Sequence, residues 1–269
     1  MKRRNIIVTG ILFFMICCCT NSKNASHRRY YIQGANEWNV QYYINDEPAF
    51  IAYGSYGEEV TRYIKDGKNY VKIFANPIKK KNNKVHCHTF LLEGDNTLTE
   101  NKIIDGILQK DSFYNSTEKQ FSFNANFQRK CIWEMSDEIE TFTEKDKDEI
   151  IQKVNFIQKT LTSKKLTKLD DIQVVLWNVD EHIVWDKLNK KYQQFINSIW
   201  KYKDYEEEIA KKEELSFFPG KKTVTVLSNG SSILYLGDSN IEQDKIRYIV
   251  NLKKLCFVKI NKKWEVLAF

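Results

Sequence analysis

Four stretches of this 269-residue chain carry side chains of the types that do chemistry. The densest is His86-Cys87-His88. On a strand, side chains alternate, so His86 and His88 share one face and Cys87 takes the other. Two imidazoles on one face need at least one more ligand to hold zinc. The only other histidines are His27 and His182, so a carboxylate would have to complete the set. Solvent-facing rings with Cys87 turned inward explain the triplet without a metal, and no cofactor is expected. Gly220-Lys221-Lys222-Thr223 lacks the order of a phosphate-binding loop and reads as a turn entering a strand. Gly54-Ser55-Tyr56-Gly57 lacks the spacing that exposes a nucleophilic serine. Glu206-Glu207-Glu208 and Glu213-Glu214, read as helix, diverge by about 100° per residue, so they make a solvated face and not an acid pair. No catalytic residue is assigned.

The remaining reactive groups are thiols, and three of the six stand together. Lys2, Arg3 and Arg4 precede an apolar run from Ile6 to Ile16, which meets Cys17, Cys18 and Cys19 and then Thr20, Asn21 and Ser22. A basic head before a short apolar run is the charge order of an export signal. At ~1.5 Å per residue the run is too short to span a ~30 Å hydrocarbon core. The arrangement resembles the signal of a bacterial lipoprotein. That resemblance implies cleavage before a cysteine, a lipid on its sulfur, and a location anchored to a membrane at the cell envelope. Cys19 is the first choice because a polar tether begins directly after it; Cys18 and Cys17 are the alternatives. Of the other cysteines, Cys87 and Cys131 lie in strand-like segments and are the candidate disulfide in an exported chain, while the competing reading makes Cys87, Cys131 and Cys256 buried thiols.

Aromatic residues supply the candidate ligand surface. Trp38 and Tyr42 fit a core, whereas Tyr43, Tyr53 and Tyr56 fall at turn or opposite-face positions and suit an exposed patch. The net charge is +7, of which the leader's Lys2, Arg3 and Arg4 carry three, and elsewhere Lys and Arg are interleaved with Asp and Glu. Nucleic-acid binding needs a continuous basic face, so nucleic acid is excluded as a partner. An envelope protein or glycan remains.

The elements that must position these groups follow from punctuation. All ten glycines and all three prolines lie outside residues 107–218. The punctuated flanks predict β-structure with turns, and the unbroken middle predicts helix. Residues 1–19 are the signal and 20–35 the tether. Residues 36–140 are a β-sandwich-like domain with strands at Trp38 to Ile44, Ala49 to Tyr53, Tyr70 to Ala75, Val85 to Leu92 and Phe121 to Phe127. Asp66-Gly67-Lys68-Asn69 before the strand Tyr70-Val71-Lys72-Ile73 resembles the turn of galactose-binding-like accessory domains. This likeness spans about a dozen residues and supports the sandwich.

Residues 141–269 are helical plus β-hairpin. One helix starts after Thr143 and carries Ile150, Val154, Ile157 and Leu161 inward; a longer one is expected from Val179 to Glu214. Hairpins are expected at 223–236, around Asn229-Gly230, and at 255–269, around Asn261-Lys262-Lys263. The fold class is therefore α+β: an N-terminal antiparallel sandwich, central long helices, and a small C-terminal antiparallel sheet packed on helix. The function expected is that of a non-catalytic binding module, not an enzyme. The alternative is an envelope enzyme or metal-binding protein that uses the His86 and His88 face.

Overall fold

Runs of period two become strands wherever a second layer covers one face. The computed structural model of the chain describes residues 29–35, 38–53, 56–77, 87–94, 100–108, 117–125, 131–162, 174–175, 205–229, 232–238 and 248–267. Among them most are strand. Eight strands occupy the first half: β1 (Arg29–Ala35), β2 (Trp38–Ile44), β3 (Glu47–Tyr53), β4 (Tyr56–Glu59), β5 (Gly67–Pro77), β6 (Cys87–Gly94), β7 (Glu100–Leu108) and β8 (Thr117–Ala125). They form two antiparallel sheets in the orders β4-β1-β6-β7 and β3-β2-β5-β8. Tyr30 and Ile32 from the first sheet enter one core with Val40, Tyr42, Ile44, Val71 and Ile73 from the second, and the rings of Tyr30 and Phe123 stand 5.7 Å apart.

The second half contains the single described α-helix, α1 (Glu144–Thr162), and the strands β9 (Val174–Val175), β10 (Tyr205–Ile209), β11 (Leu215–Pro219), β12 (Thr223–Ser228), β13 (Leu234–Asp238), β14 (Tyr248–Leu252), β15 (Lys254–Ile260) and β16 (Lys263–Leu267). These make a five-stranded sheet, β11-β12-β15-β16-β9, and a three-stranded one, β10-β13-β14. As the heptad-like spacing predicts, α1 buries Ile150, Val154, Ile157 and Leu161. They pack on Val224, Val226, Leu255, Phe257, Trp264 and Val266 of the five-stranded sheet and on Leu234 and Leu252 of the three-stranded one. The opposite face of the five-stranded sheet gives Cys256, Val258 and Leu267 to the sandwich core. A sheet covered on both sides has no polar face, which is why β15 buries four consecutive residues, Leu255 to Val258.

The expected fold class is corrected by these findings: the described chain is mostly β, with one helix and several small sheets, and not an arrangement of central long helices. Part of the expected helix, 179–204, lies outside the described residues, but Tyr205–Ile209 is a strand paired antiparallel with β13, followed by a 3-10 turn at Lys212–Glu214. Backbone pairing overrides the helix preference of the glutamates, whose exposed charges at Glu207 and Glu208 suit a sheet edge. The hairpin expected at 223–236 does not form. Both edges of β12 are taken, by β11 and β15, so β13 pairs in the other sheet with β10 and β14. Residues 29–35, assigned to the tether, are strand β1 with Tyr30 and Ile32 fully buried. The terminal hairpin does form, with β15 and β16 joined through Asn261 and Lys262.

Candidate functional site

The outer face of the sheet β3-β2-β5-β8 is built by alternation along β5. Asn69, Val71 and Ile73 are buried, which turns Lys68, Tyr70, Lys72 and Phe74 outward. Cross-strand register then sets their neighbours. Tyr70 lies opposite Ser122, Lys72 opposite Gln120 on one side and Tyr43 on the other. Asp46, from the turn between β2 and β3, closes the end of this face and pairs with Lys72 at 3.0 Å. Together Asp46, Tyr70, Lys72, Gln120 and Ser122, with Val71 and Phe121, line a shallow, open cleft of about 480 Å³.

The half-buried Asn45 and the fully buried Asn69 fix the Tyr70 end of that cleft. Asn45 accepts from the Tyr70 amide at 3.1 Å and donates to Tyr63 O at 2.9 Å and to Asn69 Oδ1 at 2.8 Å. Asn69 in turn accepts from the Lys65 amide and donates to Lys65 O and Gly67 O, holding the Asp66-Gly67 turn in which Gly67 has φ 80°. That conformation suits glycine, which has no Cβ to clash. The Asp66-Gly67-Lys68-Asn69 segment is thus a device that presents Tyr70.

Tyr70 is 51% exposed, and the Lys68 ammonium sits 5.0 Å from its ring centroid. Its neighbours offer an amide, a hydroxyl and a half-exposed ion pair. Gln120 donates to Glu118 at 3.0 Å. An ion pair as exposed as Asp46–Lys72 contributes about 0–1 kcal/mol to folding, so its charges stay available to a ligand. Tyr43 extends the face: its ring packs edge-on against Phe74 at 5.6 Å, and burial raises its phenol pKa. Among the described residues that line it, no nucleophile stands beside a base.

Of the residues singled out by sequence, Tyr43 lies on this face. Tyr53 ends β3 in the same sheet, and Tyr56 begins β4 in the other one; beyond these backbone positions both lie outside the described residues. His86 and the three cysteines Cys17, Cys18 and Cys19 are also outside them. His88 is placed on β6 opposite Ala35 and Ile107, its side chain undescribed. Among the described residues no three His, Cys, Asp or Glu side chains come together as a metal set. Of the expected Cys87–Cys131 pair, the side chain of Cys87 lies outside the described residues, and Cys131 is a buried thiol whose sulfur donates to Arg62 O at 3.3 Å, in the 3-10 turn at Thr61–Tyr63. Cys256 is likewise a buried thiol, which burial pushes up to about 11. Tyr70, Lys72 and Gln120 were not found from sequence, although a tyrosine of the same parity as Lys68 and Lys72 was the available signal.

Gly220 to Lys222 do form a turn into β12, as expected, but the structure gives that turn a partner. Its amides dock on Glu47, the first residue of β3. Compared with protein-family models, characterised proteins and solved structures, the chain matches none.

Proposed function

We propose that the chain is a non-catalytic binding module held at the bacterial cell envelope by a lipid on Cys19, with Cys18 and Cys17 as alternatives, and that the outer face of β2, β5 and β8 takes an envelope glycan. The observation that carries the binding reading is Tyr70, a large ring left half in water on a central strand where packing does not require it. A ring face and edge beside an amide, a hydroxyl and paired charges match a polyhydroxylated ligand, whose C–H faces stack and whose hydroxyls need donors and acceptors. The anchor rests on the basic head, short apolar run and cysteine triplet of the leader.

Co-sedimentation of the detergent-solubilised full chain with insoluble envelope glycan tests the face. Wild type is expected in the pellet, and Tyr70→Ala to bind about five- to ten-fold more weakly, as loss of one aromatic contact costs about 1 kcal/mol. A wild-type chain that stays in the supernatant sinks the glycan reading. For the anchor, cells fed radiolabelled fatty acid are expected to label the wild type and not Cys19→Ala; label retained by the variant moves the site to Cys18 or Cys17.

A further inference from the structure

Glu47 is fully buried between the sandwich and the C-terminal sheet. Its carboxylate accepts from the Lys222 amide, shared between Oε1 at 2.9 Å and Oε2 at 3.1 Å, and from the amide and hydroxyl of Thr223 at 2.7 and 2.8 Å, both on Oε2. Beside it the Lys221 amide donates to Asp46 O at 3.1 Å. The approach is so close that a Cβ at Gly220 would stand 2.5 Å from the Pro48 ring and 2.6 Å from Glu47 Oε2. Two segments about 175 residues apart are therefore fastened through one acid.

Among the described residues, none of that acid's partners is a cation. The Lys222 ammonium turns away to the carbonyls of Glu134 and Ser136. Lys254, on β15, is paired with Glu58 and reaches Ala49 O. The other titratable groups facing the site are Asp46 on its own turn, the Cys256 thiol, and Tyr63, whose hydroxyl donates to that thiol. A buried charge met only by dipoles is costly unless the group takes up a proton.

We propose that Glu47 is a proton-operated latch between the sandwich and the β11–β12 turn, closing more tightly as the surroundings become mildly acidic. The proton belongs on Oε1, which receives only the shared Lys222 amide, while Oε2 keeps both Thr223 donors as a carbonyl oxygen. Burial raises the carboxyl from its ordinary value of 4.5 to about 7, against the lowering effect of the Thr223 hydroxyl and the two amides. A group with a raised pKa stabilises the folded state fully below its unfolded value, and that contribution is lost as pH rises through the folded one. The operating window is thus from about pH 4.5 to 7. Cys256 and Tyr63, both raised, titrate above that window.

Amide hydrogen exchange on the full wild-type chain tests the latch without any substitution. Protection factors of Lys222 and Thr223, referenced to Val154 in α1, are expected to fall by about five-fold or more between pH 6 and 8, as local opening follows loss of the proton. In Glu47→Gln, which carries no titrating proton, that fall should vanish if the variant folds. Wild-type protection that is constant across this range, or a folded variant that keeps the wild-type dependence, overturns the proposal.

Discussion

Asp146 illustrates how much one side chain can join. In the first turn of α1 its Oδ2 accepts from the Thr143 amide and hydroxyl at 2.9 and 2.6 Å, while its own amide donates to Thr143 Oγ1 at 3.2 Å. Its Oδ1 accepts from the Lys259 ammonium at 2.8 Å and the Trp264 indole at 2.9 Å. Helix start, β15 and β16 therefore meet on one carboxylate. Burial acts to raise its pKa, but the bonds from Lys259, Thr143 and Trp264 outweigh this and hold it well below the usual carboxylate range. A depressed pKa contributes stability above the unfolded value, here 3.8, and loses it as pH falls toward the folded one. Asp146→Ala is expected to cost about 1–3 kcal/mol near neutral pH, since it strands a buried indole N–H and a half-buried ammonium. In Asp146→Asn, the loss of stability between about pH 4 and 2 should shrink relative to wild type. Urea titrations at a series of pH values measure both; parallel pH curves would remove Asp146 from the acid limb. The acidic first turn was legible in the sequence. Its partners Lys259 and Trp264 were not, because nothing local marks a contact across more than a hundred residues.

Elements in this chain are decided by which edges and faces are still open. The turn Asn45-Asp46 and the turn Asn261-Lys262 are both two-residue hairpin loops with positive φ at each position, 55° and 67° in the first, 51° and 65° in the second. Such loops match the twist of the strands they join, and asparagine tolerates the conformation while lysine pays for it. Lys262→Gly is therefore expected to raise stability by about 0.5–1 kcal/mol, read as a higher thermal midpoint. The bond from the Lys262 amide to Asp137 Oδ2, 2.7 Å long with lysine in place, is made by backbone and is expected to persist in the variant. An unchanged or lower midpoint would mean that the lysine side chain offsets its strain. Both hairpins were readable because turn chemistry is local. So was α1, whose Ile150, Val154, Ile157 and Leu161 repeat at helical spacing. β1 was missed because Tyr30 and Ile32, the residues of its buried face among those described, stand beside arginine and glutamine, and such a segment reads as polar. The β12–β13 hairpin was misread for a different reason: Asn229-Gly230 marks a reversal, but occupancy of both β12 edges decides where the chain goes next. In the candidate face, Tyr43 was visible as an outward aromatic, whereas the cleft around Tyr70 depends on the register of β8 against β5, which no local pattern encodes.

At the scale of the whole molecule the two halves are bound by side chains that belong to both. The segment from Cys131 to Ile139 crosses from one to the other: Trp133 donates its indole N–H to Arg62 O at 3.0 Å in the sandwich, the Asp137 amide donates to Lys259 O, and the Ile139 amide to Lys221 O. Thr225 adds a hydroxyl bond to Pro48 O at 2.8 Å. Beneath these, β15 sends Leu255 and Phe257 toward α1 and Cys256 and Val258 toward the sandwich, and β16 sends Leu267 to the same side. A strand with one face in each core cannot leave one without uncovering the other. Unfolding of the two halves is therefore expected to be a single transition. Leu267→Ala, made in the sandwich core but on a strand that also holds Trp264 and Val266 against α1, should cost about 2–4 kcal/mol. Scanning calorimetry of the full chain distinguishes the outcomes. One heat-absorption peak that moves down as a unit in the variant is the result a shared sheet requires. Two peaks, with only one displaced by Leu267→Ala, would mean that the five-stranded sheet belongs energetically to α1 and merely rests on the sandwich.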